Sequence, residues 1–270
     1  MNKPVKPSPI TTVSRQPLPP APPSAPARFD RLDALRGAAI VWMMAFHLAF
    51  DLNHLGWLQP RQNFYADVFW TGQRSVIVSL FLLCAGLGQA VAAQRGVGWP
   101  RFWRRWALVA GCALGVSIGS ALMFPASWIS FGVLHGMAVM LVLARLAAPL
   151  GRWLWPLGAL AMVLPLFVRH AFFDQRWTNW VGLVTRKPIT EDYVPVLPWL
   201  GVMLLGLALG RWLLVRHPGG LGGPLPPVGT ALFAALAALG RWPLTVYMLH
   251  QPLFIGLLMA WQAGSQALAR

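Results

Sequence analysis

The chain has 270 residues, of which 57% are hydrophobic and only 11% are charged, less than half the roughly 25% usual for a soluble domain. Its 22 Lys+Arg against 7 Asp+Glu leave a formal net charge of +15, and the mean hydropathy is +0.56. Those values exclude a soluble globular domain, a disordered chain and a disulfide scaffold. They also exclude a nucleic-acid binder, whose cations need a polar exposed face, because the basic residues here lie between long apolar runs. The composition points to an all-α fold, a polytopic helical bundle in a membrane.

Residues 1–27 hold 9 of the 24 prolines and no apolar run. Such a segment cannot bury a core and is expected to be a disordered, Pro-rich cytoplasmic tail, with residues 28–270 forming one transmembrane domain. A crossing helix needs ~20 apolar residues. Seven runs come close: Ala34–Leu52, Arg74–Ala93, Trp106–Phe124, Ile129–Leu146, Trp153–Val168, Val196–Leu214 and Pro243–Trp261. An eighth, Val228–Gly240, is apolar but short, and either crosses or re-enters. Seven or eight crossings are therefore expected. With eight, 15 of the 22 basic residues fall on the side of the N-terminus, which makes that side, and the C-terminus, cytoplasmic. Cys84 and Cys112 lie within apolar runs and read as small packing residues. Gly111, Gly115 and Gly119, like Gly201, Gly206 and Gly210, read as ridges for close helix packing.

Ionisable groups inside a span are costly and point to function. The first span carries Arg36, His47 and Asp51. Eleven residues at 100° each place Arg36 and His47 close to one stripe, about 16 Å apart along the axis. His47 and Asp51 share a face at i,i+4, and His54 joins the stripe if the helix continues. A carboxylate beside an imidazole can fix its tautomer and stabilise its cation. By depth, His135 on the fourth span and His250 on the last reach the layer of His47, with Arg74 and Asp192 just above, which suggests a polar cavity opening outward. That placement of His250 depends on Val228–Gly240 crossing; otherwise the last span inverts and His250 drops toward the cytoplasm. Arg101, Arg104 and Arg105 cluster at the cytoplasmic side, suited to anionic lipid or to a phosphate-bearing carrier. There is no HExxH, no Walker-type loop, no GxSxG and no Cys/His cluster at ligand spacing, so no metal is expected.

Four segments in order, RLDALRGAAIVWMMAFHLAFDL, WISFGVLHG, DYVPVLPWLGVMLLG and LGRWPLTVYMLHQPLF, resemble the bacterial relatives of heparan-α-glucosaminide N-acetyltransferase. The resemblance runs from about Arg31 to Phe254. It implies transfer of an acetyl group from acetyl-CoA to an amine or hydroxyl of a sugar or glycoconjugate, in a bacterial inner membrane. It implies a catalytic histidine near the first span, His47 or His54, and a carrier-binding arginine at its cytoplasmic end, Arg36. The residues themselves fit this chemistry: His47 with Asp51 as base, Arg74, His135, His250 and Asp192 around the acceptor or the oxyanion, and Arg36, Arg104 and Arg105 at the carrier's phosphates. Membrane lipids are the expected surroundings, and self-association into a homo-oligomer is compatible with the pattern. A transporter or flippase for an amphipathic solute is the rival function, and a haem-binding electron carrier a third.

Overall fold

The computed structural model describes residues 29–217, 219–222 and 229–268, all in helices, turns and loops, with no strand among them. The expected tail, residues 1–27, and the stretch Leu225–Pro227 lie outside the described residues. The α-helices are α1 (Asp30–His54), α2 (Val68–Gln94), α3 (Trp99–Met123), α4 (Val133–Ala147), α5 (Leu154–Phe167), α6 (Val196–Arg216), α7 (Thr230–Leu239) and α8 (Pro243–Leu268). Among the described residues six stretches are long and apolar enough to cross a membrane: α1, α2, α3, Val133–Phe167, α6 and Pro243–Ala267.

Val133–Phe167 is 35 residues long but is not a single rod. A 3-10 turn over Ala148–Trp153, with Gly151 at φ 58°, separates α4 from α5. Hydrogen bonds at both ends show that the chain reverses there. The Val133 N–H at the start of α4 donates to Asp192, just before α6, and His170, just past α5, bonds Leu183 in the same loop. At the opposite end Arg211 of α6 donates to the Ala148 carbonyl. So α4 and α5 form a hairpin beside α6.

The core lies between α2 and α6, where Leu82, Leu87, Met203 and Leu207 are buried to within 2%. Glycines allow the approach. A Cβ at Gly86 would meet the Met203 carbonyl, and one at Gly206 would meet the Leu83 backbone. Cys84, 2% exposed and free, fills space in this core. The Gly201, Gly206 and Gly210 ridge is thus packed as expected. The Gly111, Gly115 and Gly119 ridge is not: two of its glycines face open space and Gly115 meets only the Met248 side-chain tip at 4.0 Å. Glycine spacing alone does not say which face of a helix meets a partner.

At ten residues, α7 is about 15 Å long, half of the ~30 Å hydrocarbon layer. It lies antiparallel on α1, with the Leu236 backbone against Gly37 and Gly240 against the Asp33 carbonyl. The chain then turns and α8 runs in the same direction as α1, bringing His250 to His47 and Gln251 to Asp51. The expected link between a crossing α7 and the level of His250 does not hold. His250 stays beside His47 because α8 begins partway along α1 rather than at its end.

Two substitutions separate packed from open glycines. Gly86→Ala should cost about 1–3 kcal/mol through overpacking against the α6 backbone. Gly111→Ala should be neutral or stabilise by about 0.5–1 kcal/mol through helix propensity. Thermal unfolding of the two detergent-purified variants measures this; equal Tm losses would contradict the packing described.

Candidate active site

The site begins with two histidines on parallel helices. His47 Nδ1 and His250 Nε2 are 2.6 Å apart. Their rings are nearly coplanar, 16° apart, with centroids separated by 4.9 Å, as a head-to-head N···N contact requires. His250 is 4% exposed. Its Nδ1 faces the carbonyls of Tyr247 at 2.7 Å and Val246 at 3.3 Å. Carbonyl oxygens only accept, so His250 Nδ1 carries a proton and, in the neutral ring, Nε2 carries the lone pair. His47 Nδ1 must then donate to it. The remaining nitrogen, His47 Nε2, is left as the basic one and is able to take a proton without breaking the network. These tautomers are assigned from the hydrogen-bond partners. Phe46, 8% exposed, and Phe64, 3% exposed, with Trp70 stacked 3.9 Å from Phe64, form an apolar wall beside His47.

Asp51 does not do what its spacing suggested. Its Oδ1 accepts from Gln251 Nε2 at 2.8 Å, and no bond joins it to His47. The imidazole is oriented across the helix interface by His250 instead. Asp51 is 7% exposed, and its second oxygen, Oδ2, is buried without a hydrogen-bond partner; so is Gln251 Oε1. His54 ends α1, exposed, with its ring 6.4 Å from Phe50, and takes no part in the pair.

The structure does not bring His135 to the pair. The Gly132 N–H donates to His135 Nδ1 at 3.3 Å, and Nε2 meets the Ser117 hydroxyl at 3.0 Å. Ser117 in turn donates to the Ile129 carbonyl at 2.7 Å. This is a cap and cross-tie between the C-terminal part of α3 and the start of α4.

Arg74 and Asp192 do come together. They line one small cavity of about 80 Å³ with Tyr193, Val194 and Trp199. Next to it in the chain, Tyr65, Ser127, Lys187, Thr190 and Glu191 line a cavity of about 300 Å³. Glu191 is held by Ser127 at 2.5 Å and Tyr65 at 3.0 Å. Burial, then the hydrogen bond and charge of Glu191, pushes the Tyr65 phenol up to about 12. Burial and the field of Arg74 lower Lys187. Burial raises Asp192, against the opposing pull of the Val133 N–H, 2.6 Å away, and of Arg74.

At the opposite end Arg36 is paired with Asp33 at 2.8 Å and its Nη2 lies against Gly88. Arg104 and Arg105 are exposed on the first turns of α3, inside the helix rather than in a loop before it. They follow Trp103, which stacks on Trp99 at 5.8 Å. Gln251 and Glu191 escaped the sequence reading. Gln251 was visible as an amide inside an apolar span, next to His250. Glu191 sits in a polar loop and carried no signal.

Asp192 yields a pH prediction. A carboxyl whose folded pKa is raised contributes most stability below its ordinary value, near 3.8, and loses it as pH rises through the folded value. Asp192→Asn keeps an acceptor for the Val133 N–H and removes the charge. The Tm advantage of wild type over this variant should therefore shrink as pH rises from about 4 toward 7. A difference that grows with pH would reverse the sign argued.

A family model described as heparan-alpha-glucosaminide N-acetyltransferase, catalytic, matches residues 28–252. No curated protein and no solved structure matches the chain. The matched span holds α1 through α7 and runs into α8 as far as Pro252, so it includes both histidines of the pair, Asp51 and Gln251. By that match over most of its length, the chain belongs to the heparan-α-glucosaminide N-acetyltransferase catalytic family.

Proposed function

We propose that this protein is an integral membrane acetyltransferase that takes the acetyl group of acetyl-CoA and passes it to an amine or hydroxyl of a sugar or glycoconjugate. The family membership supports acetyl transfer. The observation that carries the mechanism is the His47–His250 hydrogen bond, which leaves His47 Nε2 as a base held in one orientation. The acceptor's N–H or O–H gives its proton to His47 Nε2 as its N or O attacks the thioester carbonyl carbon. The C–S bond then breaks, and the departing thiolate takes that proton back from His47. His250 acts on His47 and not on substrate, so it is a positioning residue.

The proposed topology is seven crossings, α1 to α6 and α8, with α7 re-entering from the inner side. The N-terminus is then cytoplasmic, the end of α8 lies outside, and the membrane is a bacterial inner membrane. Arg104 and Arg105, exposed at the inner end of α3, suit the carrier's phosphates. Arg36, already neutralised by Asp33, serves as the inner wall of the path rather than its main anion site. The acceptor reaches His47 from the outer side, past Arg74 and the cavity bounded by Tyr65 and Glu191.

His47→Ala should remove at least ~100-fold of the acetyl transfer while circular dichroism and Tm stay near wild type. Full transfer by that variant would take His47 out of the mechanism. His250→Ala should lower kcat with little change in the KM for acetyl-CoA, and His250→Gln should recover part of the loss because its amide oxygen can accept the Nδ1 proton. Acetyl-CoA should also raise the Tm of the detergent-purified protein, since a ligand of the native state stabilises it. No shift at millimolar acetyl-CoA would count against the donor.

A further inference from the structure

We infer that the paired cavities beside Arg74 and Lys187 take the phosphate-bearing head of a lipid, so that the acceptor is anchored in the bilayer rather than free in water. The inference rests on the acetyltransferase reading for the transfer that follows, but not for binding itself. Tyr65 comes from the loop after α1, Ser127 from the loop after α3, and Lys187, Ile189 and Glu191 from the loop after α5. Together they bound the cavity of about 300 Å³. Arg74, on the second turn of α2, lines the smaller cavity of about 80 Å³ with Asp192. The charge of Arg74 acts on both Tyr65 and Lys187, so the two cavities share one electrostatic neighbourhood. The base is close by. Trp70, one turn before Arg74, packs edge-on against Phe46 at 5.9 Å, and the Phe46 ring adjoins His47.

Donors and acceptors are unevenly spent here. Both oxygens of Glu191 already accept, from Ser127 at 2.5 Å and from Tyr65 at 3.0 Å. Asp192 Oδ2 accepts from the Val133 N–H at 2.6 Å. Arg74 and Lys187, by contrast, make no hydrogen bond or ion pair among the described residues. A guanidinium carries five N–H donors and an ammonium three. What the place lacks is acceptor oxygens with negative charge. A phosphate ester supplies both, and its oxygens match the guanidinium fork.

The rim says what the phosphate is attached to. Ile189, in the cavity wall, is 83% exposed, and Val68 and Phe69, at the start of α2, are 86% and 66% exposed. At 100° per residue Val68, Phe69, Gly72, Ser75 and Val76 share one side of α2, and all of them are exposed. Ser75 also lines the smaller cavity, and a Cβ at Gly72 would meet nothing. An open, mostly apolar track therefore leaves the cavities and follows a membrane-crossing helix. A free phosphate or a water-soluble sugar leaves that track bare, whereas an alkyl chain covers it.

The binding probes are decyl phosphate, decanol and inorganic phosphate, each added without acetyl-CoA to the detergent-purified full chain. Decyl phosphate should raise the Tm of wild type, and the other two at the same concentration should not. Arg74→Gln and Lys187→Gln should each weaken binding of decyl phosphate roughly 10-fold. Lys187 is exposed, so the Tm of its variant without ligand should match wild type. Ile189→Ser should weaken binding as well. Equal shifts in wild type and both cation variants overturn the subsite, as does an equal shift by decanol. A shift by inorganic phosphate as large as that by decyl phosphate overturns the lipid anchor. Transfer is measured separately with acetyl-CoA, on glucosamine 1-phosphate and its decyl phosphodiester, which carry the same amine and hydroxyls. The kcat/KM for the decyl ester should be higher by roughly 10-fold or more, and Ile189→Ser should narrow the gap. If neither compound is acetylated yet decyl phosphate still separates wild type from the variants, the acetyltransferase reading fails and the subsite stands. If both are acetylated equally well and decyl phosphate shifts no Tm, the subsite fails and the acetyltransferase reading stands.

Discussion

The close contact of α7 with α1 decides how the last third of the chain is used. Gly37 and Gly240 let backbone lie against backbone, where any Cβ would collide with the Leu236 or Asp33 carbonyl. With α7 seated antiparallel on the N-terminal half of α1, the following turn sends α8 beside the C-terminal half in the same direction. A full-length α7 would have delivered α8 at the other end of α1 and pointing the other way. The half-helix is what sets His250 against His47 and Gln251 against Asp51. Non-helical or short elements at membrane depth are tolerated where protein covers their polar backbone, and α1 provides that cover.

The pair of rungs between α1 and α8 divides the chemistry. The first rung is fully bonded: two backbone carbonyls hold His250, His250 holds His47, and only His47 Nε2 is left with a free lone pair. The second rung, toward the end of α1, has one bond made and two oxygens left over. The two rungs lie one helical turn apart. The aromatic wall of Phe46, Phe64 and Trp70 packs beside this first rung.

Much of this was legible in the residues. The apolar runs, the stripe of Arg36, His47 and Asp51, and the order of four family-like segments lead to a membrane bundle with a histidine site. The pairing within the stripe was not legible. Sequence spacing put Asp51 nearest to His47, since i,i+4 is the one neighbour that local geometry supplies. The structure gives His47 a partner about two hundred positions away and gives Asp51 one as well, because a parallel neighbouring helix offers contacts as short as those within a helix. His135 shows another limit: its place in the run suggested that it joined the cavity, yet its ring is consumed by the cap of α4 and the Ser117 hydroxyl.

Sequence by itself determined the solvent. At 57% hydrophobic and 11% charged, the chain cannot cover itself for water, and runs of about twenty apolar residues have one stable form in lipid. It also picked out the few polar groups that lie within apolar runs, where burial is costly. The tertiary structure decided which of those groups meet. Depth follows from position in a run, but azimuth and direction follow from which helix faces allow close approach. Gly111 and Gly115 look like Gly86 and Gly206 in sequence and face open space or a side-chain tip instead of backbone. Only packing distinguishes them, and only packing set α8 parallel to α1, so that a histidine and an amide from the far end of the chain complete the site that α1 begins.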